Sequence, residues 1–169
     1  MLLVLAGCQL MPSFGSKKEA AAPGEACPPA VILRPLANTA VFGPAPKRAP
    51  DNVAFYGLLS DVSLKCERAG DTLRLKLDVV VIGERGLVPR GNVVDLNYFV
   101  AVVGPGQTIL SKRPFAVRID LGNAKRAGVT DHIEEAIALG GRRPTDLSID
   151  LGFQQGPDVI EFYKHFRGR

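Results

Sequence analysis

Thr72-Leu73-Arg74-Leu75-Lys76-Leu77-Asp78-Val79-Val80-Val81-Ile82 is the stretch that decides the fold class. Leu73, Leu75, Leu77, Val79 and Val81 alternate with Thr72, Arg74, Lys76 and Asp78. A period of two sends alternate side chains to opposite faces of a strand, one buried and one wet. Gly70 and Asp71 mark the turn before it. The segment from Val53 to Cys66 is expected to be its antiparallel partner, joined through Glu67-Arg68-Ala69-Gly70.

Strand patterns continue on both sides of this hairpin. A first strand begins after Cys27. Val93 to Val103, centred on Asn97-Tyr98-Phe99-Val100-Ala101-Val102-Val103, is apolar at successive positions, as a strand covered on both faces is. Gly104-Pro105-Gly106 is a turn, and Gly83-Glu84-Arg85-Gly86 reads the same way. Gln107 to Leu121 returns with Phe115, Val117, Ile119 and Leu121 inward and Ala116, Arg118 and Asp120 outward. Residues 128–139 admit two readings. Ile133, Ala136 and Ile137 fit a short helix with Thr130 or Asp131 as N-cap and Glu134 in its first turn, or they fit another strand. Leu147, Ile149, Leu151 and Phe153 alternate as the last strand. Pro157 stands where a helix begins, and Asp158 to Arg167 reads as amphipathic. The expected fold is all-β: seven or so strands in an antiparallel sandwich, immunoglobulin-like or fibronectin type III-like, with a short C-terminal helix. The chain has no tryptophan, so the Cys…Trp…Cys core of antibody domains is absent.

The chain has 169 residues, 46% of them hydrophobic, which suffices for one domain with a real core. A net charge of +4 is too weak to imply nucleic acid as a partner. The basic residues come in scattered pairs such as Lys47-Arg48, Lys112-Arg113 and Arg142-Arg143, as solvated loops place them.

Leu5-Ala6-Gly7-Cys8 follows the apolar run Met1-Leu2-Leu3-Val4. It resembles the lipobox of bacterial lipoproteins, in which a peptidase cuts before the cysteine and the cysteine carries the lipid. The resemblance implies that residues 1–7 are the remnant of a signal peptide and that Cys8 is lipidated. No Lys or Arg precedes Cys8. A complete signal has a basic start and an apolar core of about 7–15 residues, so the true start is expected upstream of Met1. Gln9, rather than Asp, follows the cysteine, which by analogy with proteobacterial sorting favours the outer membrane. Residues 8–26 then comprise the lipidated cysteine and a flexible tether, because Met11 to Gly24 has no lasting apolar period. Residues 27–169 form a single domain.

With Cys8 acylated, Cys27 and Cys66 are left as a pair. In an oxidising periplasm an even remainder reads as a disulfide, against the alternative of two free buried thiols. No C-x-x-C occurs and the histidines are His132 and His165, so neither a metal nor a cofactor is expected.

The domain resembles a family of uncharacterised proteobacterial lipoproteins. The resemblance is carried by Cys27-Pro28-Pro29, Cys66, the run from Asn97 to Val103, Ile109-Leu110-Ser111-Lys112 and Gly152-Phe153-Gln154. It covers most of residues 27–165. It implies export and a two-cysteine domain, and it brings no activity to any residue.

Asp131-His132 beside Glu134-Glu135 is the densest titratable cluster. A histidine base oriented by a carboxylate, with Ser60, Ser63 or Ser111 as nucleophile, would suit a hydrolase of envelope material. No G-x-S-x-G elbow accompanies it. Solvation at a loop or helix start is the simpler reading of His132. Phe162, Tyr163 and Phe166 either pack on the sandwich or form an exposed patch for a partner. The function expected is therefore non-catalytic: a lipid-anchored binding or assembly module facing the periplasm, with a membrane anchor and an envelope protein partner. A small-ligand carrier with its pocket between the sheets and an envelope hydrolase are the rival readings.

Overall fold

In the computed structural model the alternation of residues 72–82 becomes most of a long strand that begins at Thr72, and Leu73, Leu75, Leu77, Val79 and Val81 are all buried. The structure describes residues 26–166. The expected lipidation site Cys8, the expected signal remnant of residues 1–7 and the expected tether up to Glu25 lie outside the described residues.

The strands are β1 (Ala30–Ile32), β2 (Asn38–Phe42), β3 (Val53–Ala69), β4 (Thr72–Arg85), β5 (Val93–Gly104), β6 (Thr108–Asp120), β7 (Arg126–Ala138) and β8 (Ser148–Phe153). Helix α1 (Pro157–His165) follows them. One sheet has the order β1-β8-β5-β6 and the other β2-β3-β4-β7. The inward side chains of both sheets meet in one apolar cluster, in a sandwich-like arrangement.

The β3–β4 hairpin forms as the pattern requires, and pairing runs on to Ala69 and Thr72. Its turn is therefore Gly70-Asp71, with Gly70 at φ 63°, the positive value that primed hairpin turns demand. The Asp71 carboxylate accepts hydrogen bonds from the N–H groups of Gly140 and Gly141 at 3.1 and 3.0 Å. Those bonds, the Gly141 one first, hold its pKa below the usual carboxylate value. They tie the hairpin tip to the β7–β8 loop. β5 lies between β8 and β6, and its residues Tyr98 to Val102 are buried on both faces.

Of the two readings of residues 128–139 the strand holds, with β7 ending at Ala138. Two features differ from the sequence expectation. The sheets are not wholly antiparallel, because β1 pairs with β8 in parallel. Gly83-Glu84-Arg85-Gly86 is not a turn: Gly83 to Arg85 continue β4.

Gly86 ends that strand for a steric reason. Its N–H donates to the Ala54 carbonyl at 2.8 Å, and an added Cβ would stand 2.0 Å from the Val53 carbonyl oxygen. Backbone cannot yield as a side-chain tip does. Gly86→Ala is therefore expected to lower stability by about 2 kcal/mol. Gly128→Ala, whose new carbon meets nothing nearer than 3.5 Å, should stay within about 0.5 kcal/mol. Urea melts of the two variants check this, and equal midpoints would refute it.

Cys27 and Cys66 form a disulfide with Cα atoms 5.6 Å apart. It joins the approach to β1 in one sheet to β3 in the other. Beyond Leu58, β3 has no β2 partner, so the bridge fastens the half of the strand that is paired only to β4.

Candidate functional site

Because β3, β4 and β7 are in register, their outward side chains form rows across the second sheet. One row is Ser63, Asp78 and His132. His132 Nδ1 lies 2.6 Å from Asp78 Oδ1, and the Ser63 hydroxyl donates to Asp78 Oδ2 at 3.5 Å. The His132 hydrogen bond, with help from Ser63 and the charge of Lys65, holds the Asp78 carboxyl below its usual range. A hydrolytic triad places the imidazole between hydroxyl and carboxylate. Here the carboxylate stands between the other two. His132 and Asp78 are 75% and 51% exposed, as solvated cross-strand pairs are. In the next row Lys76 meets Glu134 at 3.2 Å.

Strand alternation splits the titratable cluster read from the sequence. Asp131 and Glu135 turn inward, while His132 and Glu134 turn outward. The buried Tyr98 hydroxyl donates to Asp131 at 2.7 Å. Burial first, and then that carboxylate, push the Tyr98 pKa up. Glu135 meets Arg113 of β6 at 2.6 Å. Ser60 is exposed beside the β3 bulge, and Ser111 lies on β6 in the other sheet.

Toward the other end the outward rows turn apolar. Leu58, Ile82 and Gly128 share one row, and Tyr56, Glu84 and Arg126 the next. Helix α1 lies beside them. Pro157 fits its first turn, where a missing N–H costs nothing. Phe162 is 4% exposed and packs with Ala40 and Val53, edge-on to Phe42 at 5.3 Å. Tyr163 is half-buried, and its hydroxyl donates to the Thr39 carbonyl at 3.0 Å. Burial, with a smaller contribution from Tyr56, pushes its pKa up to about 12. Phe166 and Ile160 remain exposed. Of the three aromatic residues singled out in the sequence, Phe162 and Tyr163 face the sheet, and Phe166 is exposed at the groove with its ring against that of Phe162.

Between α1, the Arg34–Leu36 turn and the outer face of β3 and β4 runs a groove of about 1020 Å³. Its floor includes Tyr56, Leu58 and Ile82, and Ile160 and Tyr163 form the helix side. A shallower depression of about 440 Å³ shares Ile82 and Arg126 with it and extends over Val80, Gly128 and Thr130. Gln155 donates to the Asn38 carbonyl at 2.5 Å beside the groove. Its lining includes the cationic side chains of Arg34, Arg126 and Lys164, the imidazole of His165 and the carboxylate of Glu84. Lys164 and His165 both meet Glu161, whose carboxyl is held low by Lys164 first and His165 second. Glu84 is met by Lys125 at 3.8 Å. The structure gives Arg34 and Arg126 no ion pair among the described residues.

The space between the sheets is filled by the core, and this groove lies outside the sandwich. Sequence reasoning did not single out Arg34, Leu58 or Ile82, and it took Arg126 with Lys125 as one of the scattered basic pairs of solvated loops, whereas Arg126 lies on strand β7. The signal available was that outward positions change from Arg74, Lys76 and Asp78 to Val80 and Ile82. Among the described residues no group of three or more His, Cys, Asp or Glu is placed to hold a metal, and no helix is long and apolar enough to cross a membrane. No protein family, curated protein or solved structure matches the chain.

Proposed function

We propose that the protein is a lipid-anchored binding module of the bacterial cell envelope, held by Cys8 in the outer membrane, facing the periplasm and non-catalytic. The groove between α1 and the outer face of the second sheet carries this reading. It is a concave, largely apolar surface on a rigid sheet, with a few polar groups at its margin, as binding sites are built. The Cys27–Cys66 disulfide supports an oxidising compartment. The Ser63–Asp78–His132 order supports binding over hydrolysis, since the imidazole has the carboxylate and not the hydroxyl as its neighbour. An anchor raises the local concentration of the domain at the membrane, so modest affinity for an envelope partner is enough.

The immunoglobulin-like and fibronectin type III-like likeness belongs to the same reading, at the level of two packed sheets rather than strand order. Such sandwiches host many unrelated functions, so the groove and not the fold carries the argument.

Metabolic labelling with an alkyne palmitate analogue, in cells that export the protein, tests the anchor. Label is expected on the protein and lost in Cys8→Ala, which should also leave the membrane fraction. An unlabelled, freely soluble parent protein would overturn the anchoring.

A further inference from the structure

We propose that the groove beside α1 takes a single-chain amphiphile with an anionic head, its chain lying over Leu58 and Ile82 and its carboxylate or phosphate meeting the guanidinium groups of Arg34 and Arg126. This rests on the reading of the protein as a binding module and names the class of ligand.

The floor argues for an acyl chain. Leu58 pairs with Asn38 on one side and Ile82 on the other, and Ile82 pairs in turn with Gly128. The N–H and C=O groups of these inner strands are therefore committed to the sheet ladder. A peptide laid here would find no main-chain partners on the floor, and its own polar groups would lose water without replacement. A hydrocarbon chain carries no such cost and gains by covering Leu58, Ile82 and Ile160.

The margin argues for an anion. Glu84 is the carboxylate lining the groove, and Lys125 approaches it. Lys164 and His165 are balanced by Glu161. Among the described residues Arg34 and Arg126 make no ion pair, and both are exposed at the rim, Arg126 across the strands from Glu84. Arg126 stands where the groove meets the shallower depression. A planar guanidinium with a fixed fork of donors suits carboxylate and phosphate alike.

The test is displacement of a dansylated fatty acid from the disulfide-bonded domain, below the critical micelle concentrations of the competitors. Oleate, lysophosphatidylglycerol and dodecyl maltoside compete in parallel. Oleate or lysophosphatidylglycerol should displace the probe, and whichever does so tells a carboxylate head from a phosphate one. The double variant Arg34→Gln, Arg126→Gln should weaken the anionic competitor about tenfold or more and leave dodecyl maltoside unchanged. Ile82→Ser should weaken all that bind. The charge variants are on exposed side chains, so their folding is not at issue. Equal affinity for the maltoside and the anions, indifference to both variants, or no binding would overturn the proposal. A photo-reactive residue at position 160 then separates the two readings in intact envelopes. Cross-links to a protein would leave the binding module standing and remove the amphiphile. With neither amphiphile binding nor a cross-link, both readings fall.

Discussion

Replacing Cys27 and Cys66 together by serine is expected to lower the stability of the domain by about 4 kcal/mol. The bridge closes a loop across a sequence separation of 39. In the chain-entropy treatment, a cross-link of that span removes roughly 4 kcal/mol of disorder from the unfolded chain. The folded state has its own reasons to need the bond. β1 has three residues and pairs with β8 alone. The half of β3 that carries Cys66 is paired on one side only, and its inward residues Val62, Leu64 and Cys66 are half-buried. Both segments are therefore held by few contacts, and the bond fastens each to the other. With a urea dependence of about 2 kcal/mol per molar, the midpoint should fall by about 2 M. Dithiothreitol should reproduce the shift in the parent protein and do nothing further to the double variant. An unchanged midpoint after full reduction would refute the argument. If the loss is confined to the edge, amide exchange will rise at β1 and at Asp61–Ala69 while β4 and β5 stay protected.

Leu73, Leu75 and Leu77 announce β4 because a half-buried strand has no other way to satisfy a two-residue period, and the structure buries all three. β5 is legible for the opposite reason: a strand with neighbours on both sides and cover on both faces tolerates Tyr98 to Val102 in a row. β7 is ambiguous in sequence because two of its inward positions are Asp131 and Glu135. No local rule admits carboxylates there. Each is made tolerable from a distance, Asp131 by Tyr98 of β5 and Glu135 by Arg113 of β6. Inward charges on an edge strand also discourage pairing with another chain. β2 escapes notice because its successive residues Thr39 and Ala40 are both buried, with Ala40 under Phe162. A strand covered by a helix shows no alternation.

The groove was hidden for a related reason. Arg34, Leu58, Ile82 and Arg126 come from four separated segments, and none alone signals a site; of the residues lining the groove, the sequence marked the aromatic group of α1 with Tyr163. The local sign was in β4. Val80 and Ile82 place apolar side chains on the face where Arg74, Lys76 and Asp78 stand further back. A strand that is wet at one end and turns apolar outward at the other marks a surface there, and that end of β4 lines the groove opposite α1.

Phe162→Ala should therefore open the groove by releasing the helix. α1 has nine residues, too few to persist alone in water, and no side chain caps its first turn. Tertiary anchors hold it. Phe162 is the largest of them, packed with Ala40 and Val53 and in ring contact with Phe42, Tyr163 and Phe166 at 5.3, 5.1 and 5.0 Å. Tyr163 adds one hydrogen bond to Thr39, and Asp158 adds an exposed ion pair with Arg48 at 2.8 Å. Removing a buried phenyl ring costs about 3 kcal/mol or more. Losing the Tyr163 hydroxyl in Tyr163→Phe costs about 1 kcal/mol. The first exceeds what the two remaining anchors supply; the second does not. In Phe162→Ala the amides of Val159 to Phe166 should exchange at near-unprotected rates, while β4 and β5 keep their protection. Affinity for the anionic amphiphile should fall with them, since one wall of the groove is gone. Tyr163→Phe should keep both the helix and the ligand. Full protection of α1 in Phe162→Ala would show that the helix is held by something other than this ring, and the link between the ring and the groove would be broken.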